Sequence, residues 1–250
     1  MPDLDDPYIG WRQPLPMPEL RGATTALLVI DMQYADAHME HGIMAYRRAI
    51  GQLAGLDYFA GQLAAIVPNI ARLQAACRER GVEVVFTRIQ SMTASGRDRG
   101  GAHKDLKIFC PPGSREAQIL EELAPRDDEL VFNKTSGSSF NGTTLHYVLS
   151  NMGIRNLVMV GVMTSGCVES AARDAKDLGY SVLVVEDACA TWSAEMQQAS
   201  LRVLGEVFAK IVSTDRVLAL LRMNDGRPDR KAKTQGERIN AKTQRRKGLM

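Results

Sequence analysis

Six short runs of β-branched and apolar residues recur along the chain, and segments with helical periodicity lie between most of them. The runs are "TTALLVIDMQ" (24–33), "VEVVFTRIQ" (82–90), "DELVFNKT" (128–135), "RNLVMVGVM" (155–163), "YSVLVVEDA" (180–188) and "AKIVSTD" (209–215). They are apolar nearly throughout rather than at alternate positions, the pattern of strands covered on both faces of a parallel sheet. Helical patterns are predicted over 59–81, 114–124, 143–153, 167–179 and 194–208. Gly81, Gly153 and Gly179 follow three of them, where a helix C-terminus favours glycine. Pro68 is expected to kink or interrupt the first. This alternation predicts an α/β fold, a three-layer αβα sandwich with a mostly parallel six-stranded sheet.

Ligands of such sheets bind beyond the carboxyl ends of the strands. The informative positions are therefore Asp31, Arg88, Lys134, the corner at 161–167, Asp187 and Trp192. The stretch 34–58 is long for a first strand-to-helix connection, and is expected to shape a lid or a subunit contact.

Charge and composition narrow the function classes. Lys and Arg number 31 against 29 Asp and Glu, so the net charge of +2 suggests no nucleic-acid partner. No apolar run reaches membrane-spanning length, and the acidic, proline-rich start does not read as a signal peptide. Cys77, Cys110, Cys167 and Cys189 are widely spaced with no CxxC pair, which argues against a zinc framework and fits a reducing cytoplasm. The segment 224–250 carries nine Lys and Arg against three Asp and Glu, and reads as a basic, mobile tail or an appended extension. The expected division is an extended arm over 1–22, one domain over 23–223, and that tail.

Asp31, Lys134 and Cys167 fall at strand ends on separate strands. A thiol at a helix start has its thiolate favoured, a carboxylate can take its proton, and a lysine beside them stabilises negative charge. Backbone N–H groups of the 162–167 corner are placed to hold an oxyanion. Together they form an acyl-transfer set that uses no histidine.

The motifs "ALLVIDMQ", "NKTSGSSFNGTTL" and "GVMTSGCVESAARDAKDLGYSVLVVEDACA" resemble those of the isochorismatase-like cysteine hydrolases over residues 24–215. That family includes nicotinamidases and the carbamoylsarcosine, ureidoacrylate, maleamate and biuret-type amidohydrolases. The resemblance implies strand order 3-2-1-4-5-6 and a catalytic triad of Asp31, Lys134 and Cys167. It also implies a cis peptide at Val162–Met163, an oxyanion hole from Met163 and Cys167, and a homo-oligomer, dimer or tetramer. The implied reaction is cleavage of a C–N bond in a small amide or ureido compound through a thioester, with no cofactor.

The chain also departs from its relatives. The Asp-x-His metal pair of nicotinamidases is missing from "FTRIQSMTASGRDRGG", and His38, His41, His103 and His146 do not reproduce its spacing, so no metal is expected. Where relatives often place an aromatic five residues after the aspartate, this chain has Asp36, with Tyr34 nearby. Trp192 fits either a substrate wall or core packing, and Arg88 either a substrate carboxylate or a surface ion pair. Ser139 and its neighbouring hydroxyls are expected to orient the loop carrying Lys134, with substrate contact as the second role. Asp187 and Cys189 read as structural. Two other classes stay open. One is a nucleotide-binding α/β protein, although the Gly-x-Gly-x-x-Gly loop is missing after the first strand. The other is a catalytically silent relative that binds a ligand or partner.

Overall fold

Strand alternation divides each apolar run between two cores. The structure, a computed structural model, describes residues 13–223; the basic tail and residues 1–12 of the arm lie outside them. In β1 (Thr25–Ile30), Leu27 and Val29 face one core while Ala26, Leu28 and Ile30 face the other. The other strands are β2 (Glu83–Ile89), β3 (Leu130–Lys134), β4 (Asn156–Val162), β5 (Ser181–Ala190) and β6 (Lys210–Val212). They form one sheet in the order β3-β2-β1-β4-β5-β6, every pairing parallel, as expected.

Eight α-helices lie among the described residues: α1 (Tyr34–Ala37), α2 (Gly42–Ala49), α3 (Leu56–Glu79), α4 (Gly101–Asp105), α5 (Leu145–Asn151), α6 (Glu169–Asp177), α7 (Ala194–Val203) and α8 (Thr214–Met223). Helix α3 buries Phe59, Leu63, Ile66, Ile70, Leu73 and Cys77, the three-and-four spacing of one helical stripe. Together with Val217 and Leu221 of α8 it covers one face of the sheet. Leu145 and Leu149 of α5, with Ala171, Ala172 and Ala175 of α6, cover the other. The three C-terminal glycines all adopt positive φ.

Pro68 does not interrupt its helix, and one predicted helix does not form, each for an identifiable reason. Helix α3 runs through Pro68 without interruption. Pro68 and Ala64, the residue whose carbonyl loses its donor, are both exposed, so water can satisfy that carbonyl. The segment 114–124 forms no α-helix, only a 3₁₀ turn at Glu121–Leu123. Its backbone pairs instead with the chain leaving β1: Tyr34 N–H donates to Gln118 O, Ala35 N–H to Glu116 O, and Leu120 N–H to Met32 O. These long-range bonds take the groups that a local helix would have used.

The same pairing fixes the rim. The buried Gln33 side chain accepts from Ile89 N–H and donates to Ile89 O and Glu116 O, tying the ends of β1 and β2 together. Asp31 N–H donates to Thr87 O at 2.9 Å. On the other side of β1, a Cβ on Gly161 (φ +118°) would lie 2.0 Å from Ile30 O, so only glycine lets β4 approach β1 here.

Candidate active site

Asp31 leaves β1 with φ +52°, an uncommon conformation for a residue with a Cβ, though one that aspartate tolerates. Lys134 ends β3, two strands away, and its stem must cross the end of β2. It does so while almost wholly buried, and its Nζ lies 2.7 Å from Asp31 Oδ2. Nζ also donates to the carbonyls of Ser136 and Gly137, each at 3.0 Å. An ammonium has three protons, and the third goes to Cys167 Sγ at 3.4 Å. Asp31 faces the same ammonium as its ion-pair partner.

Cys167 sits in a π-helical turn, Thr164–Val168, that leads into α6. The Val162–Met163 peptide just before it is cis, as the resemblance implies. The structure thus brings Asp31, Lys134 and Cys167 together from three separate elements.

The electrostatic influences on the three groups oppose one another. Burial pushes the Cys167 thiol up, and the adjacent Asp31 carboxylate pushes it further, against the pull of Lys134. Two adjacent anions in a buried site are costlier than one, which works against the thiolate that the helix start favours. Burial likewise raises Asp31, opposed by Lys134 and by the hydrogen bond from Cys167. Burial opposes charge on Lys134, but the combined attraction of Asp31 and Cys167 outweighs it and leaves the ammonium raised.

Cys167 opens on a cavity of about 840 Å³, within the range of small-molecule sites. Met163, Ser165, Gly166 and Trp192 line it, and the 34–58 segment walls it with Asp36, Ile43, Tyr46 and Arg47. Trp192 stacks on Phe59 and carries the Arg47 guanidinium 4.6 Å above its ring, so it both packs and faces the cavity.

The other proposed substrate contacts turn elsewhere. Arg88 donates to Asn133 Oδ1 and Ala117 O and does not line the cavity. Its alternation along β2 puts it with Val84 and Phe86 on the α3 face, whereas Leu130 and Phe132, which share Lys134's parity, pack on the α5 and α6 face with Cys167. Ser139 is fully buried with its hydroxyl 3.0 Å from that of Thr87, and it anchors the Lys134 loop. Tyr34 lies under the Arg115 guanidinium, hydrogen-bonds to it, and packs against the rings of His38 and His41. Asp187 accepts from the N–H and hydroxyl of Thr214 at the start of α8, a structural role, and Cys189 is buried in the core.

Asp36 and His103 are among the cavity residues to which the sequence assigned no role. The missing aromatic after Asp31 pointed to the first, but a lone histidine in "GGAHKD" gave no signal for the second. Among the described residues, no three His, Cys, Asp or Glu gather as a metal-binding group, and no helix is long and apolar enough to cross a membrane.

Comparison with known proteins agrees with this geometry. Residues 25–216 match the isochorismatase domain family. The ureidoacrylate amidohydrolase RutB of Variovorax paradoxus (strain S110) is 30% identical over 232 residues, covering 86% of this chain and 88% of that protein. Nicotinamidase 3 of Arabidopsis thaliana is 29% identical, covering 77% and 86%. A crystal structure of a cysteine hydrolase from Pseudomonas syringae pv. phaseolicola 1448A has the same fold, with TM-score 0.72 at 23% identity, covering 84% of this chain and 98% of that one. By its motifs, its sheet and the match across most of its length, the chain belongs to the isochorismatase-like cysteine hydrolase family, hydrolases of non-peptide C–N bonds.

Proposed function

We propose that this enzyme hydrolyses a small amide, carbamoyl or ureido compound through a thioester on Cys167. The observation that carries this reading is the cluster of Lys134 Nζ 2.7 Å from Asp31 and 3.4 Å from Cys167, with Cys167 bordering the cavity. Lys134, held as an ammonium by Asp31 and Cys167, has no lone pair to take a proton, which leaves Asp31 as the base. Asp31 takes the thiol proton as sulfur bonds to the carbonyl carbon. The N–H groups of Met163 and Cys167 receive the developing oxyanion. The C–N bond then breaks, Asp31 returns the proton to nitrogen, and ammonia or an amine departs. Water attacks the thioester, giving its proton to Asp31. The C–S bond breaks, and the released sulfur regains a proton. Lys134 keeps the single negative charge shared by carboxylate and sulfur neutralised throughout.

The family resemblance supports a homo-oligomer, for which Tyr46, Ile50 and Leu53 of the 34–58 segment offer exposed apolar surface. The four free thiols support a cytoplasmic setting.

The reading is tested by ammonia release from carbamoyl amino acids, maleamate, biuret, ureidoacrylate and nicotinamide, together with native alkylation. Release from at least one amide or ureide is expected; failure on the whole panel overturns the reading. Iodoacetamide should label Cys167 first, since Cys77, Cys110 and Cys189 are 0%, 1% and 1% exposed. Equal labelling of a second cysteine in the folded protein counts against an accessible, activated sulfur.

A further inference from the structure

Two buried polar atoms on residues lining the cavity have no protein partner: Asp36 Oδ2 and His103 Nδ1. Buried polar atoms in native proteins are nearly always satisfied, so each such orphan calls for a partner that the protein itself does not supply. Asp36 is 6% exposed and His103 3%. They come from different elements, α1 and α4, and both border the cavity that holds Cys167. The two carboxylates of the site are treated differently. Asp31 has Lys134 against it, whereas Asp36 forms no ion pair with any described cation. The surrounding wall includes Ile43, Ile89 and Ile108, which offer the carboxyl group nothing.

We propose that Asp36 is a specificity-determining residue that receives an N–H donor at the end of the substrate remote from the cleaved bond. The favoured substrates then end in an amide, ureide or ammonium group, and amides that end in a carboxylate are disfavoured. This rests on the cysteine hydrolase site described above. The electrostatics agree. Burial and the charge of Asp31 push the Asp36 carboxyl up to about 7, against the pull of Lys134, so an N–H donor relieves a strained carboxylate and a substrate anion adds to the repulsion. His103 offers an anion no compensation, because burial, Lys134 and Arg99 hold it down at about 4 and therefore neutral. Arg88, the cation expected to take a substrate carboxylate, is committed to Asn133 and Ala117. The cations at the cavity mouth are Arg47, which also donates to Ala54 O, and the exposed Lys107. They supply the competing outcome, a site that prefers acids.

Succinamide and succinamate form a matched pair of probes, differing only by NH₂ for O⁻ at the remote end. In the wild type, kcat/KM should favour succinamide by at least about 30-fold. Asp36→Asn should shift that ratio at least about tenfold toward succinamate, mainly through KM, since an amide can donate to the acid. The smaller Asp36→Ser is a second test, and Asp36→Asn should melt no lower than the wild type at pH 8. Titration calorimetry of the same pair on Cys167→Ala, with and without Asp36→Asn, reads recognition without turnover. Selective binding by Cys167→Ala that Asp36→Asn erases, in an enzyme that releases no ammonia, overturns the hydrolase reading and leaves Asp36 in its role. Turnover with an unchanged ratio in both Asp36 variants overturns the role of Asp36 and leaves the hydrolase. Wild-type preference for succinamate, or no binding of succinamide by Cys167→Ala, also overturns the proposal.

Discussion

Cys167→Ala is expected to lower kcat by at least about 10⁴-fold in an ammonia-release assay, because the route through a thioester loses its nucleophile. Folding should be little affected, since the side chain lies at the cavity edge and only a sulfur is removed. Cys167→Ser should rescue little. A hydroxyl is a far weaker acid than a thiol, and a carboxylate is too weak a base to compensate. Variants that keep more than a few per cent of wild-type turnover while folding normally remove Cys167 from the chemistry.

Lys134→Met is expected to damage both activity and stability, and pH separates the two. Removing one partner of a buried ion pair costs about 3–5 kcal/mol. In the variant, Asp31 keeps its burial and loses the cation that lowered it, so its carboxyl rises further. A carboxylate raised on folding costs stability as pH climbs above its unfolded value near 3.8. The destabilisation of Lys134→Met should therefore be largest at pH 8 and shrink as pH falls toward 4. In the wild type the raised Lys134 ammonium contributes its stability fully below 10.5 and loses it only at higher pH. Thermal melts at pH 8 and pH 5 measure this. Adding Asp31→Asn to Lys134→Met should recover much of the melting temperature and none of the activity, since the buried charge is gone together with the base.

The strands were legible because both faces of the sheet are buried. Residues 26–30, for example, had to be apolar in succession to serve two cores. The expectation of 24–33 for β1 missed only its ends. The helix expected over 114–124 shows the limit of local pattern, for its apolar residues are real but its backbone bonds go to residues 32–35. At the site, strand ends showed where to look but not which way a side chain points. Arg88 and Lys134 stand near the ends of neighbouring strands, yet Arg88 pairs in register with Asn133, one residue before Lys134. That single step sends the two cations to opposite faces. Asp36 was visible only as a missing aromatic. Its meaning came from the cavity beside it, to which α2 and α4 contribute, two short helices that the sequence pattern did not reveal.

Acid-quenching the enzyme during steady-state turnover of an amide substrate, then mapping its peptides by mass spectrometry, addresses the sulfur directly. The Cys167 peptide should carry the acyl group of the substrate, in a form that hydroxylamine removes and that is missing when Cys167 is alanine. Sustained turnover with the Cys167 peptide unmodified throughout would contradict the thioester route.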